Sequence, residues 1–510
     1  MVIASDKDVL AGLAKLEAAH QQRGMDRMRW MRDYVRNVYA RYDVAQTTPE
    51  NERFWINSDY KSPRSAGDRS VRQKIRARAR YEAQESGSHA KGIVLAKTND
   101  VIGKGPALQV LTGNKEFNKA LERKWTAWAR EINLPAKLRT MYAAKVVDGE
   151  AFAERINNQR LRNGVNVDIR VTEADLWTDP LWAGNSVQED DGIRYDRVGN
   201  PELYRRLKYH PGDNFTDLSP LDYEDLGAEN VIHWFRKDRP DQRRGISELA
   251  PSLPLFAELR RYRLAVLAAS EIAANYAAVM YSDAPAFGED PDDMEEAFME
   301  IELHRRAMIT LPGGWKMQQL RAEQPTTQFS EFCESILAEI GRVTLTPLNI
   351  VLGSSRDYNF ASGRLDYLLY WQHNDIDRCD CDMEVLERLF EWFVDEALLI
   401  PGFLPEVGTD DEGIPHRFVF PPRRPIDEEN AAKADMLNMQ MGHLSDEQWA
   451  VRENIDLETH YEELKRMTDE RAKCGFPVPS TANDGANNGN SPTKPTTSPG
   501  KATANQRRTR

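Results

Sequence analysis

Apolar side chains recur every three or four residues over much of the chain, which is the spacing of one face of an α-helix. Such stripes run from Leu10 to Val38, along the basic segment DRSVRQKIRARARYEAQ that begins at Asp68, and from Phe117 to Trp128. The last stripe would bury Phe117, Leu121, Trp125 and Trp128 on one side of an amphipathic helix. The N-terminal part is therefore predicted to be helical, with a strand at PALQVL after Gly105.

Between about residues 145 and 236 the pattern changes to short runs rich in β-branched and aromatic residues. These runs are AFAERI, VDIRVTE, GIRYD, LYRRLKY and NVIHWFR. Turn signals such as Asn163-Gly164 and Gly199-Asn200-Pro201 separate them. The pattern predicts a small, mostly antiparallel β lobe, so the fold class of the whole chain is α+β.

Helical spacing returns after LAPSLP and predicts three further helices. The first follows a stripe from Leu255 to Tyr276, and the second covers about 328 to 344. The third begins near Ser362, and its apolar residues alternate steps of four and three, a heptad seam broken only by Gln372. The other seam members are Leu365, Leu369, Ile376, Cys379, Met383, Leu386, Phe390, Phe393 and Ala397.

Turn-forming residues mark the remaining C-terminal segments. The segment 345–361 holds Pro, Gly and Ser at turn positions and is predicted to be a loop. Short helices are expected from about 427 to 473, one of them opened by a capping box at Ser445 and Gln448. The Asn-, Pro-, Thr- and Ser-rich tail from Phe476 is predicted to be disordered.

Length and charge narrow the possible roles. A chain of 510 residues is too long for one compact core, so two or more lobes are expected. The formal net charge of −13 argues against tight DNA binding, but a channel through which DNA slides should repel DNA on balance. The four cysteines form no disulfide framework, and neither a membrane-spanning run nor a signal layout is visible. We therefore expect a reducing cytosol and no membrane.

Candidate catalytic and metal-binding residues are sparse. Cys379 and Cys381 stand two apart on a predicted helix, so they point away from each other and cannot hold one ion. Cys379 also lies in the apolar seam, where a core cysteine is expected. Structural roles are expected for the three histidines that lack a partner at ligand spacing, His210, His233 and His304.

Two further fragments resemble catalytic motifs without completing them. Gly103-Lys104-Gly105 is only part of a phosphate-binding loop, and Gly353-Ser354-Ser355 lacks the second glycine of a nucleophile elbow. The sequence therefore predicts no catalytic residue, no metal and no cofactor, and indicates a protein that is not an enzyme.

The basic helix from Arg69 to Arg80 leaves two interpretations open. It could contact DNA or an anionic capsid surface, or it could be a solvated face, which is the commoner fate of a run of charge. The basic end of the tail, with Arg507, Arg508 and Arg510, leaves the same two open.

Seven segments, taken in order, resemble the lambda-type family of tailed-bacteriophage portal proteins, and the resemblance covers about 60 to 475. The most specific contains VIHWFRKDRPDQRRGISELAP, a strand, a basic turn, a glycine and then a long helix. The others are DRSVRQKIRARARYEAQESGSHAKGIVLAKTNDVIGKG, VVDGEAFAER, VTEADLWTDP, GIRYDRVGNPELYRRL, FASGRLDYLLYWQ and PPRRPIDEENAAKADMLNMQMGHLS.

The resemblance implies a portal fold with a helical wing, a small antiparallel β lobe, long stem helices, a clip insertion and a helical crown. Carried onto this chain, the implied regions follow one another from end to end. They are the N-terminal helices and wing with the β lobe (1–251), the first stem helix (252–280), the clip (281–327), the second stem helix (328–344), the tunnel loop (345–361), the long wing helix and strand (362–425), the crown (426–475) and the tail (476–510).

The resemblance also implies a function. Portal proteins form rings, usually of twelve subunits, at one capsid vertex, where DNA enters during packaging and leaves during ejection. The implied partners are other copies of the chain, double-stranded DNA in the channel, the terminase large subunit, a head-completion or tail connector protein, and the major capsid protein. The implied location is the virion, after assembly in the cytoplasm of the bacterial host.

Two groups of residues would carry this function. In the tunnel loop, Ser354, Ser355, Arg356 and Asp357 would face DNA. In the clip, six acidic residues would dock the packaging motor and later the connector: Glu289, Asp290, Asp292, Asp293, Glu295 and Glu296. The main alternative is an interaction scaffold whose heptad helix drives a small coiled-coil oligomer, and a hydrolase ranks last.

Overall fold

In a computed structural model of the protein, the structure describes residues 53, 55, 56, 58, 60–180, 188–213, 222–275, 279–282, 315–318, 328–356, 358–405, 413–423, 425, 427–453, 455 and 457–475. The stripes predicted from Leu10 to Val38, the acidic segment 289–296, Asp357, His304 and the tail from Phe476 lie outside these residues.

The chain divides into two compact units, and the smaller groups Met1–Asp68 with Arg239–Asp241. Its helix α1 (Pro63–Ala66) is capped by the Ser62 hydroxyl, which accepts a hydrogen bond from the Ser65 backbone N–H at 3.2 Å. Arg239 Nη2 donates to the Lys61 carbonyl oxygen at 3.1 Å. All the elements described below belong to the larger unit, Arg69–Asp238 and Gln242–Arg510.

The N-terminal helices of the larger unit follow the apolar stripes of the sequence. They and one strand are α2 (Arg69–Arg80), a π-helical stretch (Tyr81–Ser86), α3 (Ser88–Val101), β1 (Ala107–Val110), α4 (Lys115–Glu131) and α5 (Leu134–Asp148). The Asn114 side chain caps α4 by accepting hydrogen bonds from the Glu116 and Phe117 backbone N–H groups. The predicted stripe on α4 is buried, which confirms the amphipathic helix.

The β lobe consists of two antiparallel sheets, as the strand pattern predicts. In the first, β2 (Glu150–Asn157) lies between β3 (Val167–Thr172) and β8 (Val231–Phe235). The second has the order β4 (Glu189–Asp190), β5 (Ile193–Tyr195), β6 (Pro201–Leu207) and β7 (Tyr223–Gly227). Phe152, Trp177 and Tyr204 pack between them in a small core.

The C-terminal part is again mainly helical. Its elements are α6 (Leu253–Asn275), β9 (Val279–Ser282), β10 (Trp315–Gln318), α7 (Gln328–Val343), α8 (Leu348–Leu352), α9 (Phe360–Cys381), a π-helical stretch (Asp382–Leu386), α10 (Glu387–Leu399), β11 (His416–Val419), α11 (Glu428–Gln440), α12 (Asp446–Arg452) and α13 (Leu457–Lys473). The capping box at Ser445 and Gln448 is present at the start of α12. The helices predicted in this part are confirmed, and the fold is α+β.

The principal core joins β1 and α4 in the N-terminal part of the larger unit to α10 and β11 in its C-terminal part. Strand β11 pairs with β1, and Phe418 brings its ring within 5.5 Å of Trp125 on α4. Phe393 on α10 meets the same indole edge-on, with ring centroids 5.3 Å apart. Because α4 and α10 share this aromatic core, the long C-terminal helix is fixed to the N-terminal helices.

The heptad seam predicted for the long helix is wrong in its first half. Leu365, Leu369 and Ile376 are exposed, whereas Tyr370, Asn374, Asp377 and Cys381 on the other side of α9 are buried. The π-helical stretch follows Cys381, and from its last residue onward the predicted members Leu386, Phe390, Phe393 and Ala397 are buried. Cys379 is exposed and Cys381 buried, so the placement of Cys379 in the core is also wrong.

Candidate channel segment and buried ion clusters

The segment 345–361 is not the continuous loop that the sequence predicts. Pro347 precedes α8 and Gly353, at φ 63°, ends it, so these two residues delimit a short helix. Val351 on α8 packs with Ile93 of α3 and Leu259 of α6. The exposed part is shorter than expected, because its beginning is anchored to the core.

The turn after α8 carries three of the predicted channel residues. Ser354, Ser355 and Arg356 are all exposed. The turn is tied at both ends, since the Ser354 N–H donates to the Asn349 carbonyl at 3.0 Å and the Asn359 side chain caps α9 at Ser362. We call residues 353–356 the exposed turn. The exposed turn presents the Arg356 guanidinium to solvent, and these hydrogen bonds hold the flanking backbone in place.

A buried ion cluster, which the sequence did not indicate, lies where the basic helix α2 meets the β lobe. Its centre is Glu150, the first residue of β2, which is fully buried. Glu150 Oε1 accepts from Arg244 Nη2 at 2.6 Å and from Arg76 Nη2 at 2.9 Å. Glu150 Oε2 accepts from Arg244 Nε at 2.9 Å and lies 3.1 Å from His233 Nε2. We call Arg72, Arg76, Glu150, Asp191, His233 and Arg244 the Glu150 cluster.

The surroundings keep the two carboxylates of the Glu150 cluster, Glu150 and Asp191, ionised. Burial alone would raise the pKa of Glu150, but Arg244 and His233 outweigh it and hold that pKa well below its usual range. Arg72 forms an ion pair with Asp191. Burial alone would raise the pKa of Asp191, but Arg244 and Arg72 lower it. Burial lowers the pKa of His233, whose ring stacks on Phe152 at 4.2 Å. The expected structural role of His233 agrees with this packing.

Two glycines make this arrangement possible. Gly149 has φ 90°, and a Cβ there would lie 2.2 Å from the Ile246 carbonyl carbon. A Cβ on Gly245 would lie 2.0 Å from the Gly149 carbonyl oxygen. The segments VVDGEAFAER and RRGISELAP therefore touch backbone to backbone, and only glycine fits at the contact.

A second cluster lies beside the first, under α9. Lys145 Nζ is 2.9 Å from Glu248 Oε1 and 3.2 Å from Asp377 Oδ1, while Lys97 Nζ is 3.4 Å from Glu248 Oε2. The Tyr142 hydroxyl donates to Asp377 Oδ2 at 2.5 Å. Burial would raise the pKa of Asp377, but Lys145 and Lys97 lower it to about 2. We call Lys97, Lys145, Glu248 and Asp377 the Glu248 cluster.

The two clusters are joined by one short segment, Arg244 to Glu248, which leads directly into α6. Arg244 is the anchor in the first cluster and Glu248 the anchor in the second. Buried ion pairs are costly to break because the remaining partner is left charged and unsolvated. The start of α6 is thus fastened to α2, α3, α5, β2 and α9.

Neither interpretation of the basic helix α2 describes Arg72, Arg76 and Arg80. Arg72 and Arg76 are buried in the Glu150 cluster, and Arg80 bonds Asp148 through Nε at 2.7 Å. These three arginines are spaced four apart and so share one face, which is turned inward. Lys74 and Arg78 are the exposed basic residues of the helix.

One group of possible metal ligands occurs among the described residues. Glu173, Asp175 and His210 bring ligand atoms within 4.8 Å of one another. Arg80 Nη1 already lies 2.8 Å from Asp175 Oδ2 and 3.2 Å from Glu173 Oε2. A guanidinium thus supplies the positive charge at this position, and the group is better described as an ion-pair cluster than as a metal site.

The comparisons with known proteins identify the family. The model of the phage portal protein, lambda family, matches residues 56–378, which include both clusters and the exposed turn. The chain belongs to this family. The resemblance found in the sequence is therefore confirmed, and the chain is a phage portal protein.

The portal protein is 23% identical over 363 residues to a protein of Halomonas phage phiHAP-1 named "Probable portal protein". The match covers 66% of this chain and 69% of that one.

Two solved structures are also similar to the portal protein, both at 12% identity. The first, "Neck of empty GTA particle computed with C6 symmetry", has a TM-score of 0.43 and covers 78% of this chain and 93% of that one. The second, an HK97 family phage portal protein from Corynebacterium diphtheriae, has a TM-score of 0.26 and covers 59% and 84%.

Within the described part of the portal protein, none of the helices combines the length and the apolar character needed to span a bilayer.

Proposed function

We propose that this portal protein forms a ring of about twelve subunits at one capsid vertex, through which double-stranded DNA is packaged and ejected. The observation that carries the proposal is the family match over residues 56–378. A separate packaging ATPase, the terminase large subunit, would move the DNA, and the chain itself would be non-enzymatic. The ring would reside in the virion, against the major capsid protein, after assembly in the host cytoplasm.

Helices α6 and α7 are proposed to form the stem of each subunit. Tyr262 on α6 stacks on Phe329 of α7 at 5.6 Å and meets Phe332 at 4.7 Å. Beyond them, β9 pairs with β10 antiparallel, with Ser282 opposite Trp315. This ribbon brings the two ends of the intervening segment together, as an insertion at the tip of a strut requires, and supports the assignment of 281–327 as the clip.

The remaining regions keep the places that the family order implies. The wing would comprise α2 to α5 with the β lobe, and α9 with α10 would be the long wing helix. The crown would comprise α11 to α13. The Glu150 and Glu248 clusters connect the start of α6 to the proposed wing through buried ion pairs, as a stem helix that transmits force to the wing would require.

The exposed turn is proposed to face DNA. Arg356 from each subunit would add to a ring of positive charge, with Ser354, Ser355 and Asp357 beside it. A single exposed cation per subunit gives weak, salt-sensitive contacts, which can touch phosphates without gripping them.

Replacing Arg356 with Glu tests this role. Rings and empty heads should still assemble, while packaging or retention of DNA changes, as measured by the DNA content of purified heads. Arg197→Glu is the control, because Arg197 is also an exposed turn arginine, between β5 and β6. Normal DNA-filled heads from the Arg356 variant would remove this residue from the DNA path, and loss of rings would place it in a subunit interface.

The clip is proposed to dock the packaging motor and then the connector, partly by charge complementarity. Changing Glu289, Asp290, Asp292, Asp293, Glu295 and Glu296 to their amides should preserve rings but weaken binding of terminase at low salt. Glu462→Gln with Glu463→Gln, on the exposed side of α13, is the control. Unchanged terminase binding would show that the clip charges are only solvated.

The function as a whole is tested by disrupting the gene in the parent phage. Heads lacking the portal protein should contain no packaged DNA, and supplying the protein in trans should restore it. DNA-filled heads in its absence would contradict the proposal.

A further inference from the structure

The long helix α9 carries an apolar stripe that the other described residues leave exposed. Its members, Leu365, Leu368, Leu369, Ile376 and Met383, expose 61%, 45%, 62%, 61% and 61% of their surfaces. We call these five residues the outer stripe. They run along α9 into the π-helical stretch, and all of them except Leu368 are members of the predicted seam.

The outer stripe is not needed to pack α9 against the rest of the protein. The opposite side of α9 already packs inward through Tyr370, Asn374, Asp377 and Cys381. Tyr370 donates to Asp100 of α3 at 2.8 Å, and Arg378 Nη2 donates to the Asp100 carbonyl at 2.7 Å. The stripe is therefore an apolar face on a helix that already packs into the protein through its opposite face.

Size and composition indicate what covers the stripe. From its first to its last residue it extends about 27 Å, and five side chains this exposed present on the order of 400 Å² of apolar surface. That is about as large as the largest patch of a typical monomer, and about half of the ~800 Å² that each partner contributes to a stable interface. The stripe presents leucine, isoleucine and methionine, with the exposed Gln372 between Leu369 and Ile376, and a surface that is mainly apolar is typical of an interface core rather than of a rim.

We infer that the outer stripe is covered by a neighbouring copy of this chain, which meets it with a different surface from its own stripe. The inference rests on the proposed ring. In a closed ring of more than two subunits every contact is heterologous, so one subunit's stripe cannot pack on its neighbour's stripe. The stripe would then supply the apolar core of one side of each subunit contact.

Native cysteines allow a direct test. Cys379 lies in the same seam and is exposed, Cys474 is exposed at the end of α13, and Cys381 is buried. Rings and dissociated subunits would be treated with iodoacetamide, and modification at each cysteine would be followed by mass spectrometry. In rings, Cys379 should react at least about tenfold more slowly than in dissociated subunits, because access decides thiol reactivity, while Cys474 should change little.

The outcomes separate this inference from the proposed function. Rings in which Cys379 reacts as fast as in dissociated subunits would overturn the inference and leave the ring intact. A Cys379–Cys379 disulfide formed under mild oxidation would show stripe against stripe and would also overturn it. If no ring forms under any condition, both the proposed function and this inference fail.

A charge placed in the stripe gives a second test. The double variant Leu369→Glu, Ile376→Glu should keep the melting temperature of the dissociated subunit but abolish rings in size-exclusion chromatography. Val198→Glu, which adds one such charge at an exposed turn between β5 and β6, should assemble normally. Normal rings from the double variant would contradict the inference.

Discussion

The basic helix α2 and the exposed turn both carry arginines, but the structure uses them in opposite ways. On α2, Arg72 and Arg76 are buried against carboxylates, whereas Arg356 on the turn is exposed. The difference does not follow from charge density, since α2 is the more basic segment. It follows from whether buried acids lie within reach, and the availability of such partners separates a structural arginine from one free to meet a ligand.

The largest expected effect comes from removing the acid at the centre of the Glu150 cluster. Glu150→Gln keeps the shape of the side chain but removes one counter-charge from each of the buried arginines Arg76 and Arg244, which retain their pairs with Asp175 and Asp191. We expect the free energy of unfolding to fall by about 3–5 kcal/mol, measured by urea denaturation of dissociated subunits. Glu202→Gln, on an exposed pair of β6 with Arg194, should change it by less than about 0.5 kcal/mol.

The same variant has a pH signature. The pKa of Glu150 is lower in the folded protein than in the unfolded chain. The ionised Glu150 therefore contributes fully to the free energy of unfolding at pH values above the unfolded pKa, and this contribution is lost as the pH falls through the folded pKa. The difference in free energy of unfolding between the wild type and Glu150→Gln should therefore become smaller at acidic pH. An equal gap at neutral and strongly acidic pH would contradict an ionised Glu150.

Substitutions at Arg76 and Lys74 allow a buried and an exposed basic residue of α2 to be compared within one helix. Arg76→Met should lower the free energy of unfolding by about 2–4 kcal/mol, because Glu150 and Asp175 both lose a partner. Lys74→Met, on the exposed side of the helix, should change it by less than about 0.5 kcal/mol. If the two variants lost equal amounts of unfolding free energy in the same denaturation experiment, the buried ion pairs of Arg76 would not stabilise the fold more than the exposed Lys74 does.

Asp382 is the converse of Glu150: it is a half-buried carboxylate whose Oδ1 has no hydrogen-bond partner among the described residues. Burial and the nearby Glu387 raise its pKa to about 6, against a smaller opposing effect of His416. A raised acid pKa penalises the fold at high pH: the penalty is absent below the unfolded value and full above the folded one.

Asp382→Asn should therefore stabilise the protein at pH 7.5, by about 1 kcal/mol once solvent screening of a half-exposed group is allowed for. The gain in melting temperature should shrink as the pH is lowered to 4.5. A variant that gains nothing at pH 7.5, or gains more in acid, would contradict the raised pKa.

The smallest effect on stability is expected at the exposed turn. Arg356→Ala removes no contact with the described core, so the free energy of unfolding should change by less than about 0.5 kcal/mol. The same denaturation experiment measures it. A loss above about 1 kcal/mol would mean that Arg356 is a packed residue and would remove the contrast with α2.

Local elements could be predicted from the sequence, because their signals lie within a few residues of one another. The stripe from Phe117 to Trp128 marks α4, and alternating runs mark the strands of the β lobe. Pro347 and Gly353 were interpreted as breakers of helix, although here they stand at the two ends of α8. The same residue types signal a loop or the limits of a short helix, and spacing alone does not distinguish them.

The ion clusters could not be predicted, because their partners are far apart in the chain. Arg76 and Glu150 are separated by 74 positions, and Arg72 and Asp191 by 119. The inward side of α9 was missed for a different reason. Its buried residues include Asn374 and Asp377, polar side chains that a hydrophobic pattern assigns to solvent. The burial of Asp377 depends on Lys97 of α3 and Lys145 of α5, which lie beside it.

The central claim, that this portal protein forms a DNA-conducting ring, is tested most directly by electron microscopy of the purified protein in negative stain. We expect top views of rings with about a dozen subunits and a central hole at least ~20 Å wide, enough for duplex DNA. Variation in subunit number would be compatible with the claim. Only small closed oligomers, without a hole at any salt concentration, would contradict it and favour the coiled-coil scaffold.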